Sequence, residues 1–381
     1  MQTAFVHGRV LTDAGFVEGL AVLVDGGRIA AVVSESDPRV EAARRRDLEG
    51  RLLLPGFIDA QVNGGGGVLF NEQPTVEAVR AIGAAHRRYG TTGFLPTLIS
   101  DDFDRIETAM RAAEQAVDAV PGALGIHVEG PFINRERKGI HDASKFRGLD
   151  ERAFALLTSL RNGRTLVTLA PEITTPQMIG RLVEAEVIVS AGHTNGDYAT
   201  IVDALAHGMT GFTHLFNAMS QLGNRAPGAV GAALDDTRSF CGIIVDGYHV
   251  APASLRIALK ARGAERLMLV TDAMPTVGAA EKSFMLQGRR ITVQDGICRS
   301  DDGVLAGSDL DMAGAVRNSV AMLGVDLATA VRMASTVPAA FLGLGDRLGR
   351  IAPGYQADLV EATDEIDIVE TWIAGVPSAA G

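Results

Sequence analysis

The chain has 381 residues, 47% of them hydrophobic and 21% charged, which suits one large globular domain with room for a smaller one. A formal net charge of −11 excludes a bulk electrostatic footprint for nucleic acid or an anionic membrane surface, so an anionic small substrate would need local positive groups. Two cysteines, Cys241 and Cys298, stand far apart without a CxxC partner, and neither a disulfide framework nor a cysteine zinc site is expected.

The N-terminal stretch MQTAFVHGRVLTDAG lacks a basic start followed by an apolar core, so no signal peptide is expected. No apolar run is long enough to span a bilayer, and a cytoplasmic location is the default expectation. Residues 1–50 read as short strands: Ala4-Phe5-Val6, then Leu20 to Val24, the turn Asp25-Gly26-Gly27, and Arg28 to Val33.

From residue 53 the rhythm changes. Nearly continuous apolar runs alternate with helical stretches rich in Ala, Arg and Glu, such as TVEAVRAIGAAHRRYG at 75–90. The runs are LLPGFIDAQV (53–62), TTGFLPTL (91–98), LGIHVEG (124–130), TLVTLAPE (165–172), VIVSAGH (187–193), GFTHLFN (211–217), CGIIVDG (241–247) and LMLVTDA (267–273). Continuous apolar strands alternating with helices predict a parallel sheet covered on both faces. The repeat of such units predicts a (β/α)8 barrel, which typically takes roughly 250 residues. A doubly wound sheet would need a GxGxxG turn after its first strand, and Gly64 to Gly67 do not have that spacing. The tail from 348 to 376 returns to short strands. The expected division is therefore a small β domain from 1–52 plus 346–381, flanking a barrel at 53–345.

Polar residues collect at the C-terminal ends of these strands, where barrel enzymes place their chemistry: Gln61, Glu129, His193, His214, Asp246 and Asp272. Glu129, His193 and His214 together offer a three-ligand metal site with an open position, as in catalytic zinc centres. Taken singly, each has a plainer reading as a structural histidine or a solvated strand end; their joint placement favours the metal. Asp272 reads either as a helix cap or as a general base beside an activated water, and the nearby metal site favours the base. His127 is expected to support the site or pack beneath it. His7, His86 and His207 read as structural or surface residues.

These residues carry a resemblance. PGFIDAQVNG (55–64), HVEGPFIN (127–134), KGIHD (138–142), AGHTN (191–195), THLFNAM (213–219), DGYH (246–249), VTDAM (270–274), LAGS (305–308) and GRIAPGYQADLV (349–360) resemble the N-acetylglucosamine-6-phosphate deacetylases of the amidohydrolase superfamily, across essentially the whole chain. The resemblance implies hydrolysis of the N-acetyl group of N-acetylglucosamine 6-phosphate, with Glu129, His193 and His214 on the metal and Asp272 as proton carrier. His141 would steady the acetyl carbonyl oxygen, with Ile140 beside it. Asn217 and Ala218 would contact the sugar phosphate, Arg225 and His249 would be its cationic partners, and Leu305, Ala306 and Gly307 would line the pocket. In this family phosphate contacts can cross a dimer interface, so a homodimer is expected.

Family members with His-x-His after strand one can hold two metals; those with Gln-x-Asn depend mainly on the Glu/His/His site. Gln61 and Asn63 place this chain in the second group, which implies one divalent ion per subunit, zinc first, with iron or another divalent ion as alternatives. Gln61 is expected to bond a water or border the vacant second site. Some relatives carry Cys within the glycine-rich stretch, where Gly64 to Gly67 stand here. Two rivals remain. Another superfamily amidohydrolase would usually need the His-x-His and often a lysine on strand four, which TLVTLAPE lacks. A dead scaffold barrel should have lost ligands that are all present.

Overall fold

The apolar run from Leu52 to Val62 is two strands, and Gly56 divides them. A Cβ at Gly56 would collide with the Thr92 side chain, so only glycine lets the chain pass this close to the neighbouring strand. In the computed structural model, which describes residues 2–378, Leu52–Pro55 belongs to a six-stranded flanking sheet and Phe57–Val62 opens the barrel. The chain enters the barrel a little beyond the expected division.

Eight strands pair in chain order, all parallel: Phe57–Val62, Thr91–Ile99, Gly125–Glu129, Arg164–Leu169, Ile188–Ala191, Gly211–Phe212, Phe240–Ile243 and Leu267–Leu269. They are numbered barrel strands one to eight. Helices such as Val76–Arg87, Phe103–Ala119 and Pro252–Arg262 return the chain between them. Side-chain caps start several of these helices: the Thr75 and Thr175 hydroxyls accept from Ala78 N and Met178 N, and the Asp197 carboxylate accepts from Thr200 N. Helices cover the outside of the barrel and side chains fill its inside, so every residue of strands one and two is buried, the polar Asp59, Gln61 and Thr97 included, which explains their largely apolar character.

The seam between strands one and eight has no regular ladder. It closes through the Val62–Ala273 bridge, Asp272 N to Gln61 O at 3.0 Å and Asn63 N to Ala273 O at 2.9 Å. Below these bonds the buried Asp59 carboxylate accepts from Gln61 N at 3.1 Å and Thr271 N at 3.3 Å, and also from the Thr271 hydroxyl. Burial pushes the Asp59 carboxyl up to about 7, against these three bonds.

Both chain ends build the flanking β structure, as expected. One sheet joins Arg28–Ser34, Leu20–Asp25, Thr3–Val6 and Arg44–Asp47. In the six-stranded sheet Leu359–Ala362 pairs with Leu52–Pro55, which pairs with Arg9–Thr12. The fully buried Glu361 ties the two ends together through Arg46 at 2.8 Å and Arg51 at 2.6 Å.

One feature was absent from the expected barrel. After strand eight an antiparallel four-stranded sheet is inserted: Ser283–Leu286, Arg289–Gln294, Ile297–Ser300 and Leu305–Ser308. Its two tight two-residue hairpin turns, Gln287-Gly288 and Asp295-Gly296, have positive φ at both positions, and a longer turn at 301–304 joins the last pair of strands. The dipeptides QG and DG between short runs of β-formers were the legible signal.

Candidate metal centre and pocket

Three strand ends turn inward over the barrel mouth. His193, His214 and Asp272 leave strands five, six and eight with φ of 49°, 36° and 51°, a left-handed conformation that costs a non-glycine residue about 1–3 kcal/mol. The surrounding bonds hold His193 there: Asn134 N donates to its carbonyl at 2.9 Å, and its ring Nδ1 lies 2.8 Å from Arg137 O. Glu172 anchors the next turn, accepting from Asn195 N at 2.6 Å, from Asn134 Nδ2 at 2.9 Å and from the Thr194 hydroxyl at 2.5 Å.

Glu129 Oε1 lies 3.1 Å from His193 Nε2 and 2.9 Å from His214 Nε2, and the two imidazole nitrogens stand 3.1 Å apart. All three side chains are buried. A carbonyl only accepts, so His193 Nδ1 carries its proton toward Arg137 O, and Nε2 of the neutral ring presents a lone pair. A lone pair and a carboxylate facing each other out of water need positive charge between them. The donor set therefore fits a divalent cation, and these three residues could hold one. Burial opposes ionisation of Glu129, but the histidines beside it hold it well below the usual carboxylate range; burial likewise opposes charge on His214, whose pKa the neighbouring Glu129 nevertheless raises.

Gln61 and Asn63 lie beside this cluster, both buried. Gln61 Nε2 is 3.2 Å from Glu129 Oε2 and 3.2 Å from Asp272 Oδ1, and Asn63 Nδ2 donates to the same Asp272 oxygen at 2.6 Å. Both amide nitrogens are thus committed to carboxylates, while Asn63 Oδ1 is buried without a hydrogen-bond partner. Burial and the neighbouring Glu129 charge raise the Asp272 carboxyl to about 6.

A cavity of about 270 Å³ opens above the cluster. Glu129, His141, His193, His214, Asn217, Ala218, His249, Asp272, Leu305 and Gly307 border it together with Ile140, so most of the expected site residues converge on one place. The Asp246 carboxylate holds His249 Nδ1 at 2.5 Å. Although burial raises it, the bond from His249 keeps Asp246 below its usual value. The Ser100 backbone N–H, which can only donate, points at His141 Nδ1 at 3.4 Å, and the Ser100 hydroxyl is 2.7 Å from the same atom. His141 Nδ1 therefore accepts, and Nε2 carries the hydrogen. Burial pushes the His141 pKa well down, so the ring is a neutral donor.

Three expected residues stand elsewhere. Ala306 is fully buried on the far side of its strand, packed with Leu286, Ile291 and Cys298. Gln61 lies beneath the pocket rather than on its wall. Arg225 sits on the exposed loop after strand six, outside the pocket, with no ion-pair partner among the described residues. Of the other histidines, His127 supports the barrel interior through Thr168 Oγ1 at 2.7 Å. His86 is fully buried, with Nε2 2.9 Å from Gly64 O, rather than a surface residue of its basic helix. Sequence reasoning passed over Ser100, a polar residue ending the apolar run of strand two, and Ile99, Met274 and Val304 on the pocket wall.

A closed parallel barrel with a Glu/His/His cluster and a carboxylic acid at the C-terminal mouth defines a (β/α)8 hydrolase with a metal centre. The family model described as amidohydrolase family matches residues 52–376, and the chain belongs to that family. It is 43% identical over 369 residues to an N-acetylgalactosamine-6-phosphate deacetylase of Shewanella sp. (strain ANA-3), covering 96% of this chain and 93% of the relative. It is 34% identical over 379 residues to the N-acetylglucosamine-6-phosphate deacetylase of Haemophilus influenzae, covering 98% and 99%. The crystal structure of N-acetylglucosamine-6-phosphate deacetylase from Pasteurella multocida superposes with a TM-score of 0.95 at 36% identity, over 99% of each chain.

Proposed function

We propose that the chain hydrolyses the N-acetyl group of N-acetylglucosamine 6-phosphate, giving glucosamine 6-phosphate and acetate. The observation that carries this reading is the convergence of Glu129, His193 and His214 beneath a pocket that also holds Asp272 and the neutral donor His141. A divalent ion at the cluster, zinc first for two imidazoles and a carboxylate, supplies Lewis acidity to the amide carbonyl and to the attacking water.

The chain's own residues do the rest. Asp272, kept basic by burial and held by Asn63, takes the proton of the attacking water. His141 Nε2–H donates to the carbonyl oxygen as negative charge develops there. The C–N bond then breaks, and Asp272 returns its proton to the leaving amine. Asn217, Ala218 and His249 line the side of the pocket that would take the sugar phosphate.

The pocket wall of one protomer includes no lysine or arginine among the described residues. A phosphate dianion needs such charge, and Arg225 stands free on its exposed loop, near Leu222 at 55% exposure. This supports a homodimer in which Arg225 serves the partner's pocket. No helix among the described residues is long and apolar enough to cross a membrane, and a phosphorylated sugar substrate supports a cytoplasmic setting.

The 43% identity to an N-acetylgalactosamine-6-phosphate deacetylase favours a second reading, in which the preferred substrate is the 4-epimer, N-acetylgalactosamine 6-phosphate. Acetate release from both sugar phosphates by zinc-loaded protein tests the proposal. A higher kcat/KM for the glucosamine epimer supports the first reading, a higher value for the other epimer supports the second, and release from neither rejects both.

A further inference from the structure

The two hairpin turns of the inserted sheet share one backbone conformation and differ in one residue. Asp295-Gly296 has φ of 53° and 78°; Gln287-Gly288 has φ of 47° and 78°. The first position of such a turn favours Gly, which has no Cβ to clash, or Asn and Asp, which tolerate left-handed backbone. Asp295 follows that preference. Gln287 does not, and its side chain shows what the longer residue accomplishes.

Gln287 reaches away from its own sheet to the barrel. Its Nε2 donates to Ser100 O at 2.8 Å, and its Oε1 accepts from Asp142 N at 3.1 Å. These partners flank His141 on both sides. Ser100 is the residue whose hydroxyl and N–H face His141 Nδ1, and Asp142 follows His141 in the chain. One amide therefore joins the end of strand two, the loop carrying His141 and the inserted sheet. The last strand of that sheet, Leu305–Ser308, brings Leu305 and Gly307 to the pocket wall. Leu286, Ile99 and Ile140 share one apolar cluster alongside.

We infer that Gln287 is a positioning residue for His141, fixing the direction of its Nε2–H toward the substrate carbonyl and locking the pocket wall to it. The inference rests on the reading of His141 as the carbonyl donor. A shorter side chain at 287 keeps the turn and loses the reach. The hairpin would form as well or better, while the bridge from Ser100 to Asp142 on either side of His141 would be lost. An oxyanion donor acts in the transition state, so the loss should fall on kcat and spare KM.

The test uses Gln287→Asn and Gln287→Gly, both suited to the turn, with zinc-loaded enzyme and N-acetylglucosamine 6-phosphate. The expected result is a Tm no lower than that of the unaltered enzyme, with kcat reduced about tenfold to a hundredfold, the scale of a small misplacement of a catalytic group. KM should stay within about twofold. In a His141→Asn background the same changes should cost less than about threefold, because residues acting through one another are not additive. Unchanged kcat in both variants, or a loss of full size in the His141→Asn background, would overturn the inference. If His141→Asn by itself leaves kcat intact, the assigned role of His141 falls first, and the inference with it.

Discussion

Asn63 Nδ2 donates to Asp272 Oδ1 at 2.6 Å, joining the strand-one loop to the end of strand eight. The amide serves the carboxylate here. Asp272 is thereby aimed over the Glu129, His193 and His214 cluster. Asp272→Asn should keep the fold and the metal while lowering turnover roughly 10²–10⁴-fold, the usual contribution of a general acid/base. Steady-state kinetics on protein of verified metal content will check it, and near-normal turnover would remove Asp272 from the mechanism.

The same bond shapes the pH profile. Burial and the Glu129 charge raise the Asp272 carboxyl to about 6, and a general base works only when deprotonated. Activity should therefore fall as pH drops through this region. A cation on Glu129 cancels the repulsion, so the acid limb of kcat/KM in the loaded enzyme should lie below pH 6. Asn63→Ala removes a donor to the carboxylate and should move that limb upward. A limb that stays in place would separate it from Asp272.

Metal stoichiometry follows from where the strand-one amides point. Beside the cluster Gln61 and Asn63 can offer only neutral amide oxygens, which bind a zinc-like ion far less well than imidazole does, while their amide nitrogens are bonded to Glu129 and Asp272. Reconstitution of the apoprotein should saturate activity at one equivalent of divalent ion per subunit. Two tightly retained ions after dialysis, measured by mass spectrometry, would refute this.

Arg225 stands on an exposed loop outside its own pocket. Arg225→Ala should reduce kcat/KM for N-acetylglucosamine 6-phosphate far more than for the unphosphorylated sugar, since only the former offers a partner for a charged fork. Mixed dimers of Arg225→Ala and Asp272→Asn subunits should regain activity. In such a dimer one pocket has both its own Asp272 and an intact Arg225 from its neighbour. No recovery on mixing would place Arg225 in its own subunit's site or outside catalysis.

Asp59 gives a stability prediction. Its folded carboxyl is raised from 3.8 to about 7, so the folded state holds the proton more tightly than the unfolded chain. Its contribution to stability is fully present below the unfolded value and is lost as pH rises through about 7. Asn at this position mimics the protonated acid at every pH. Asp59→Asn should match the unaltered protein in urea denaturation at acidic pH and become relatively more stable toward alkaline pH. A parallel pH dependence of the two proteins would contradict the assignment.

What the sequence alone determined is what local pattern encodes. Nearly continuous apolar runs separated by helical periods marked the barrel, because a strand covered on both faces has no solvated side to show. Glu129, His193, His214 and Asp272 were legible because each ends such a run, and strand ends share one face of a barrel. Tertiary structure decided the pairings between those ends. Asn63 and Asp272 are 209 residues apart, and nothing in QVNG announces that its amide will meet a carboxylate from strand eight. Gln287, a residue its turn does not favour, gains its role only when the inserted sheet lies against Ser100 and Asp142. Arg225 could be recognised as a cation in sequence, but its exclusion from its own pocket depends on where a loop settles once the barrel has closed. Hydrogen bonds of this kind carry direction and reach, and both are fixed by the packed backbone rather than by residue spacing along the chain.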